Sequence, residues 1–447
     1  MLKSRTEYSN ACIVPAHRAH KSMTRFYRQF ETVAAHSVIA LLALFATNSV
    51  FAEESVVEPG EVAEAIADPG ADQAPEALID PVDMHEPGGP LADAVAAPTS
   101  AAAPFELLGE TVMPGTSRRL AWSATELFEG VPVSTPVLVI NGAEPGPTLC
   151  LTAAVHGDEL NGIEMVRRVM HDMEPDKVSG TIIGVPIVNV QGFHGGSRDL
   201  PDRRDLNRYF PGNPNGSAAA RIAHSFFINI VAHCDALIDL HTGSNERANL
   251  PQIRADLRNP DVVTLTQGFG SIVILHSTPE IGTLRHAATR AGIPAVTLEA
   301  GGPSQLELSE VRQGVKGIES LIASLGITRK VNLWGDPEPV YYRSSWVRAD
   351  NGGILLADVG LGSTVRKGDL LGTITDPMNN SQIVVRSPYS GRIIGMARNQ
   401  IVMPGFAAFH IGIQTDEAPA EAEPDDVLIH APHDETDNLH GMSEEEE

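Results

Sequence analysis

A chain of 447 residues has room for two or three domains, and 42% hydrophobic residues suffice for an ordinary globular core. The formal charge of −25 sits at the ends: residues 53–103 carry 12 acidic side chains and no Lys or Arg, residues 415–447 carry 13 and none, and residues 104–414 hold 30 acidic against 26 basic. Acidic ends on a near-neutral body disfavour nucleic acid and anionic membrane surfaces as partners.

The first 52 residues read as a secretory leader. A basic, polar stretch up to Arg28 precedes the apolar run SVIALLALFATNSV (37–50), and Val50-Phe51-Ala52 gives a small-x-Ala pattern ahead of Glu53. A start at Met23 would give a leader of about 30 residues, an ordinary length, so Met1 and Met23 both stand as starts. The apolar run is shorter than the ~20 residues a membrane span needs, so export to a periplasmic or extracellular space is expected, with no stable membrane insertion after cleavage. Residues 53–103 hold seven prolines and no Phe, Tyr or Trp, a linker composition with nothing to bury.

From Phe105 the texture changes. The runs VPVSTPVLVI (131–140), PTLCLTAAV (147–155), GTIIGVPIVNV (180–190), DALIDLH (235–241), SIVILH (271–276) and PAVTLEA (294–300) predict strands; helical spacing marks 159–173, 217–232, 282–291 and 307–325. Continuous Val/Ile/Leu strands alternating with helices predict an α/β domain over 104–335, its sheet mostly parallel or mixed and flanked by helices. After Trp334-Gly335-Asp336-Pro337 the helical spacing stops. Glycine-punctuated runs over 336–414, VRKGDLLGTITDP and SPYSGRIIGM among them, predict a small all-β, barrel-sandwich-like domain. Residues 415–447 return to an acidic, unstructured composition in which His430, His433 and His440 are scattered. Cys12 leaves with the leader; Cys150 and Cys234, each in or beside an apolar run, are expected to be buried free thiols, with a single bridge left open.

Chemistry gathers at strand ends. Val155 closes an apolar run, and Leu160, Ile163 and Val166 open the core face of the next helix, which puts His156 and Glu159 where open α/β sheets build their sites. Imidazole and carboxylate at that spacing supply two of the three protein ligands a catalytic zinc takes. His241 ends another apolar strand and is either the third ligand or a hydrogen-bonded histidine; Asp239, two residues earlier on the same face, can accept its second ring N–H. Glu299 closes a buried strand, a costly place for a carboxylate unless it serves a site or a partner. The intervening SRDLPDRRDLNRYFPG (197–212) is dense in arginine, whose planar fork matches carboxylates, so it is either an anion grip or a solvated loop.

Taken in order, HGDE (156–159), RDLNRYFPG (204–212), DLHTG (239–243) and the strand ending LEAGG (298–302) resemble the succinylglutamate desuccinylase/aspartoacylase family of zinc carboxypeptidase-like hydrolases, over about residues 130–410. The resemblance implies one zinc per chain on His156, Glu159 and His241, with Glu299 as the carboxylate that works with the metal-bound water. It further implies that Arg198 polarises the scissile carbonyl, that Asn207 and Arg208 grip a substrate carboxylate, and that Asp205 orients a ligating histidine. Family members carry a small β domain after the catalytic one. Here Lys367 is the last lysine, so the hairpin tip near Pro377 has none to carry a cofactor, and the unit reads as a wall or lid for the cleft or an oligomer contact.

Three activities fit these expectations. The first is an exported zinc amidohydrolase that deacylates an N-acyl amino acid or small peptide; the second is a zinc carboxypeptidase or cell-wall peptide amidase; the third is a binding protein that keeps the cleft without turnover. The retention of all the ligands, Glu299 and the arginines argues against the third. The partner expected in the first two is a small molecule or peptide bearing a carboxylate, with Arg254 and Arg285 as candidate second anionic contacts.

Overall fold

The computed structural model describes residues 102–128, 131–329 and 339–413. The expected leader, the linker through residue 101 and the tail from residue 414 lie outside the described residues. Among the described residues no helix is long and apolar enough to cross a membrane.

The strands, in chain order, are β1 (Phe105–Leu107), β2 (Glu110–Val112), β3 (Thr116–Phe128), β4 (Val131–Asn141), β5 (Glu144–Ala153), β6 (Ser179–Val185), β7 (Ala236–His241), β8 (Arg247–Ala255), β9 (Val273–His276) and β10 (Ala295–Gly301). The C-terminal region adds β11 (Val340–Tyr341), β12 (Arg343–Arg348), β13 (Gly353–Ala357), β14 (Thr364–Val365), β15 (Leu370–Thr375), β16 (Gln382–Arg386), β17 (Gly391–Ala397), β18 (Gln400–Val402) and β19 (Ala407–Ile413). The helices are α1 (Leu160–Asp172), α2 (Val190–Gly195), α3 (Ala218–Asn229), α4 (Pro260–Thr266), α5 (Leu284–Arg290) and α6 (Leu308–Ser324).

One large sheet runs in the order β12-β19-β17-β8-β10-β7-β5-β6-β4-β3. Its centre, β6-β5-β7-β10, is parallel, as buried aliphatic strands joined through helices should be. β4 and β3 are antiparallel on one side and β8 on the other, so the sheet is mixed. Alternate residues of β5 face opposite cores. Leu149 and Leu151 pack with Met165, Val166 and Val169 of α1 and Ile318 and Leu321 of α6; Cys150 packs with Ile222 and Phe226 of α3 and Leu284 of α5. At the starts of α3 and α5 a side chain replaces the missing backbone acceptor: Ser217 accepts from Ala220 N, and Thr283 accepts from His286 N.

One expectation needs correction. Cys150 and Cys234 are not free thiols but form a disulfide, with 5.8 Å between Cα atoms. β5 and β7 are neighbours, Cys150 pairs in register with Leu237, and so thiols 84 residues apart in sequence come together. Double replacement of Cys150 and Cys234 by alanine should lower the unfolding free energy by about 2–5 kcal/mol. Urea titration with and without reductant checks this, and a reductant-insensitive midpoint for the parent protein would refute it.

The C-terminal region is all-β, as expected, and part of it joins the main sheet. β17 pairs antiparallel with β8, so β17, β19 and β12 extend the main sheet. Among the described C-terminal strands, β16-β15-β13-β18 make a separate sheet. It closes over Leu355, Leu371, Ile374, Ile393, Phe409 and Ile411.

Candidate active site

β5 ends at Ala153, two residues before the expected Val155, and a tight turn delivers His156 and Glu159 to the start of α1. Gly157 in this turn has no room for a side chain, since a Cβ would stand 2.0 Å from the carbonyl carbon of Gly192. Its N–H donates to the Arg198 carbonyl at 3.3 Å, which ties the turn to the arginine-rich loop. His241 ends β7, the strand next to β5, and Glu299 pairs in register with His241 on the parallel strand β10. Neighbours in register on parallel strands point to the same face.

His156, Glu159 and His241 are all buried and offer ligand atoms within 4.8 Å of one another. Glu159 Oε1 is 2.9 Å from His156 Nδ1, Glu159 Oε2 is 2.9 Å from His241 Nδ1, and the two Nδ1 atoms are 3.2 Å apart. The outer ring nitrogens are occupied: His156 Nε2 meets Asp205 Oδ1 at 3.0 Å, and His241 Nε2 meets Asp239 Oδ2 at 2.8 Å. A carboxylate only accepts, so each Nε2 carries a proton, and with a metal ion bound each Nδ1 would turn its lone pair inward. Two lone pairs that close call for a cation between them, a proton or a metal ion. Atoms 2.0–2.1 Å from a common tetrahedral zinc stand roughly 3.3 Å apart, so the trio fits zinc with one position left for water or substrate.

The local field agrees. Burial alone would push the Glu159 carboxyl up, but His156 and His241 outweigh it and hold it well below the usual carboxylate range. Burial would lower His241, yet Asp239 and Glu159 raise it well above an ordinary imidazole. The cluster favours positive charge at its centre. Asp239 is fixed from behind by the Thr152 hydroxyl, which donates to Oδ1 at 2.7 Å.

Asp205 organises the loop. Besides receiving His156, it accepts from the Asn207 backbone N–H at 2.8 Å and from Arg198 Nη2 at 2.9 Å. Arg198 Nη1 reaches His156 Nδ1 at 3.2 Å and Glu159 Oε1 at 3.3 Å, so this guanidinium stands at the rim of the trio. Asn207 Oδ1 accepts from Leu284 N at 2.8 Å, which turns its NH₂ into the end that can donate to a ligand. Arg208 stands 4.0 Å from both Asp205 Oδ2 and Glu280 Oε2.

All nine residues singled out in the sequence are near one another, and eight of them, Asp205 excepted, line a single solvent-open cavity. Arg254 and Arg285 line it too. Arg254 Nε is 3.6 Å from Glu299 Oε1, while Arg285 donates to the Ser277 carbonyl at 3.1 Å. Sequence reasoning missed Arg247, Asn249 and Trp346 in the wall. Asn249 donates to Glu299 Oε2 at 3.1 Å, and the Arg247 guanidinium lies 5.2 Å from the Trp346 ring centroid. Trp346, on β12, makes the C-terminal region part of the cavity wall, one of the roles expected for it.

Residues 145–325 match the succinylglutamate desuccinylase/aspartoacylase catalytic domain family model. The chain is 27% identical over 300 residues to the N-alpha-acetyl-L-2,4-diaminobutyric acid deacetylase of Halomonas elongata, covering 62% of this chain and 84% of that protein. A succinylglutamate desuccinylase from Silicibacter sp. TM1040 superposes with TM-score 0.61 at 25% identity, over 70% of this chain and 98% of that one. An ectoine utilization protein from Ruegeria pomeroyi, in a product-bound structure, shares the fold with TM-score 0.61 at 24% identity, over 70% and 99% of the two chains. Residues 145–325 thus match the catalytic domain of the succinylglutamate desuccinylase/aspartoacylase family.

Proposed function

We propose that the protein is an exported, zinc-dependent amidohydrolase that removes the acyl group from an N-acyl amino acid. The observation that carries this reading is the trio of His156, Glu159 and His241, each histidine backed by a carboxylate, in one cavity with Glu299. When bound there, zinc lowers the pKa of a water and polarises an amide carbonyl. The chain's own residues do the rest. Glu299 takes the proton of the attacking water and delivers it to the leaving amine, so that one carboxylate serves both halves of the hydrolysis. Arg198 faces the negative charge that develops on the carbonyl oxygen. Asn207 and Arg208 hold the carboxylate of the amino acid. Asp205 and Asp239 keep the Nδ1 lone pairs aimed inward. The Halomonas relative supports an acetylated diamino acid as the first substrate to try. The Cys150–Cys234 bridge supports an oxidising compartment, in line with export.

The test is mass spectrometry of a pool of N-acyl amino acids and cell-wall peptides, Nα-acetyl-L-2,4-diaminobutyrate included, after incubation with the zinc-loaded protein. A deacylated amino acid whose appearance is blocked by chelator is expected. A product shortened from its carboxyl end would replace the reading with a carboxypeptidase, and no product from any pool member would remove the deacylase assignment.

A further inference from the structure

Glu299 sits on β10, two residues before its last, with a carboxylate whose last torsion is intrinsically broad and about two-fold. A base that must face first a water and then an amine needs that torsion fixed. β8, between β10 and β17, supplies the fixing group. Asn249 is 3% exposed and its Nδ2 donates to Glu299 Oε2 at 3.1 Å, while Arg254 approaches the other oxygen.

The amide of Asn249 is itself held from the C-terminal side. Asn249 pairs in register with Gly395 of β17. A Cβ at Gly395 would stand 2.6 Å from Asn249 Oδ1, 3.2 Å from His410 Cβ and 3.6 Å from the Trp346 ring. Trp346 and His410 are cross-strand partners stacked at 4.6 Å and 7°. The missing side chain at 395 therefore leaves the slot in which the Asn249 oxygen rests, with its nitrogen turned to Glu299.

We propose that Asn249 is the positioning residue for Glu299 and that strand β17 takes part in catalysis through the slot at Gly395. The inference rests on Glu299 being the base. Its test uses the full zinc-loaded protein, with crystal structures and steady-state kinetics on Nα-acetyl-L-2,4-diaminobutyrate. Asn249→Leu should show the Glu299 carboxylate rotated or split over two orientations, and kcat should fall by about 10- to 100-fold with KM and zinc content near those of the parent. In a Glu299→Gln background the same replacement should cost less than about twofold, because coupled residues do not add. Gly395→Ala keeps the asparagine but pushes its oxygen, and should lower kcat in the same sense. This second variant stands in if Asn249→Leu does not fold. An unmoved Glu299 in Asn249→Leu, or an equal loss in both backgrounds, overturns the inference while leaving the base assignment intact. Full turnover by Glu299→Gln alone overturns the base assignment, and this inference with it. The structural readout stands whether or not this substrate is turned over.

Discussion

Glu299→Gln should lower kcat by on the order of 10²–10⁴ while zinc content and thermal midpoint stay those of the parent protein. The replacement is isosteric and can still accept from Asn249 Nδ2, so packing and that hydrogen bond survive, while basicity and the ion pair with Arg254 are lost. Position makes the loss specific. Glu299 is in register with His241 on adjacent parallel strands, which puts its Cα about 4.8 Å from that of the ligand candidate and its side chain on the same face. Its side chain meets Asn249 Nδ2 at 3.1 Å and Arg254 Nε at 3.6 Å. The expected fold-change corresponds to about 3–5 kcal/mol in the barrier. Steady-state kinetics with metal analysis by mass spectrometry on the same sample decides the matter. A variant that loses zinc together with activity would mean that Glu299 holds the metal site instead, and one with full turnover would move the base elsewhere in the cavity.

Much of this geometry could be read from the chain because strand ends and helix starts leave local marks. Helices expected at 159–173, 217–232, 282–291 and 307–325 occur as Leu160–Asp172, Ala218–Asn229, Leu284–Arg290 and Leu308–Ser324. Each has an apolar stripe that survives in any tertiary context. His156, His241 and Glu299 are legible by the same token, since each follows an apolar run, and Glu159 stands three residues past His156 where the next helix starts. β8 left no such mark. Its sequence RANLPQIRA puts Arg247, Asn249 and Gln252 in buried positions, the reverse of the pattern by which half-buried strands are recognised. Those polar groups are inside because they face the cavity or meet the C-terminal strands, as Gln252 does in donating to the Ile394 carbonyl at 3.1 Å. The reason for their burial therefore lies some 140 residues away in the chain. The same holds for Cys150 and Cys234, whose meeting depends on which strands are neighbours, and for Trp346, an isolated aromatic residue until β12 joins the sheet. Local pattern carries the elements, and strand order carries the wall of the site.

Replacement of His241 by alanine should leave a protein that retains no zinc through gel filtration and turns over no faster than chelator-treated parent. Two of the trio would remain, and a buried imidazole and carboxylate at 2.9 Å can satisfy one another as a hydrogen-bonded pair without any ion. The informative companion is Asp239→Asn. Asp239 touches no inward-facing atom; it accepts from His241 Nε2 at 2.8 Å and from Thr152 Oγ1 at 2.7 Å. An amide in its place can present its NH₂ to Nε2, which favours the tautomer with the proton on Nδ1, where the ligating lone pair has to be. Such outer partners usually contribute 10- to 100-fold to metal affinity, so Asp239→Asn should weaken zinc by about that factor while binding remains measurable in competition with a chromogenic chelator. The two variants together separate a ligand from its orienter: abolition in the first and graded weakening in the second fit the trio as the metal site. Undiminished zinc binding by His241→Ala would mean that zinc is held elsewhere, and equal abolition by both would mean that Asp239 supports the local fold rather than the tautomer.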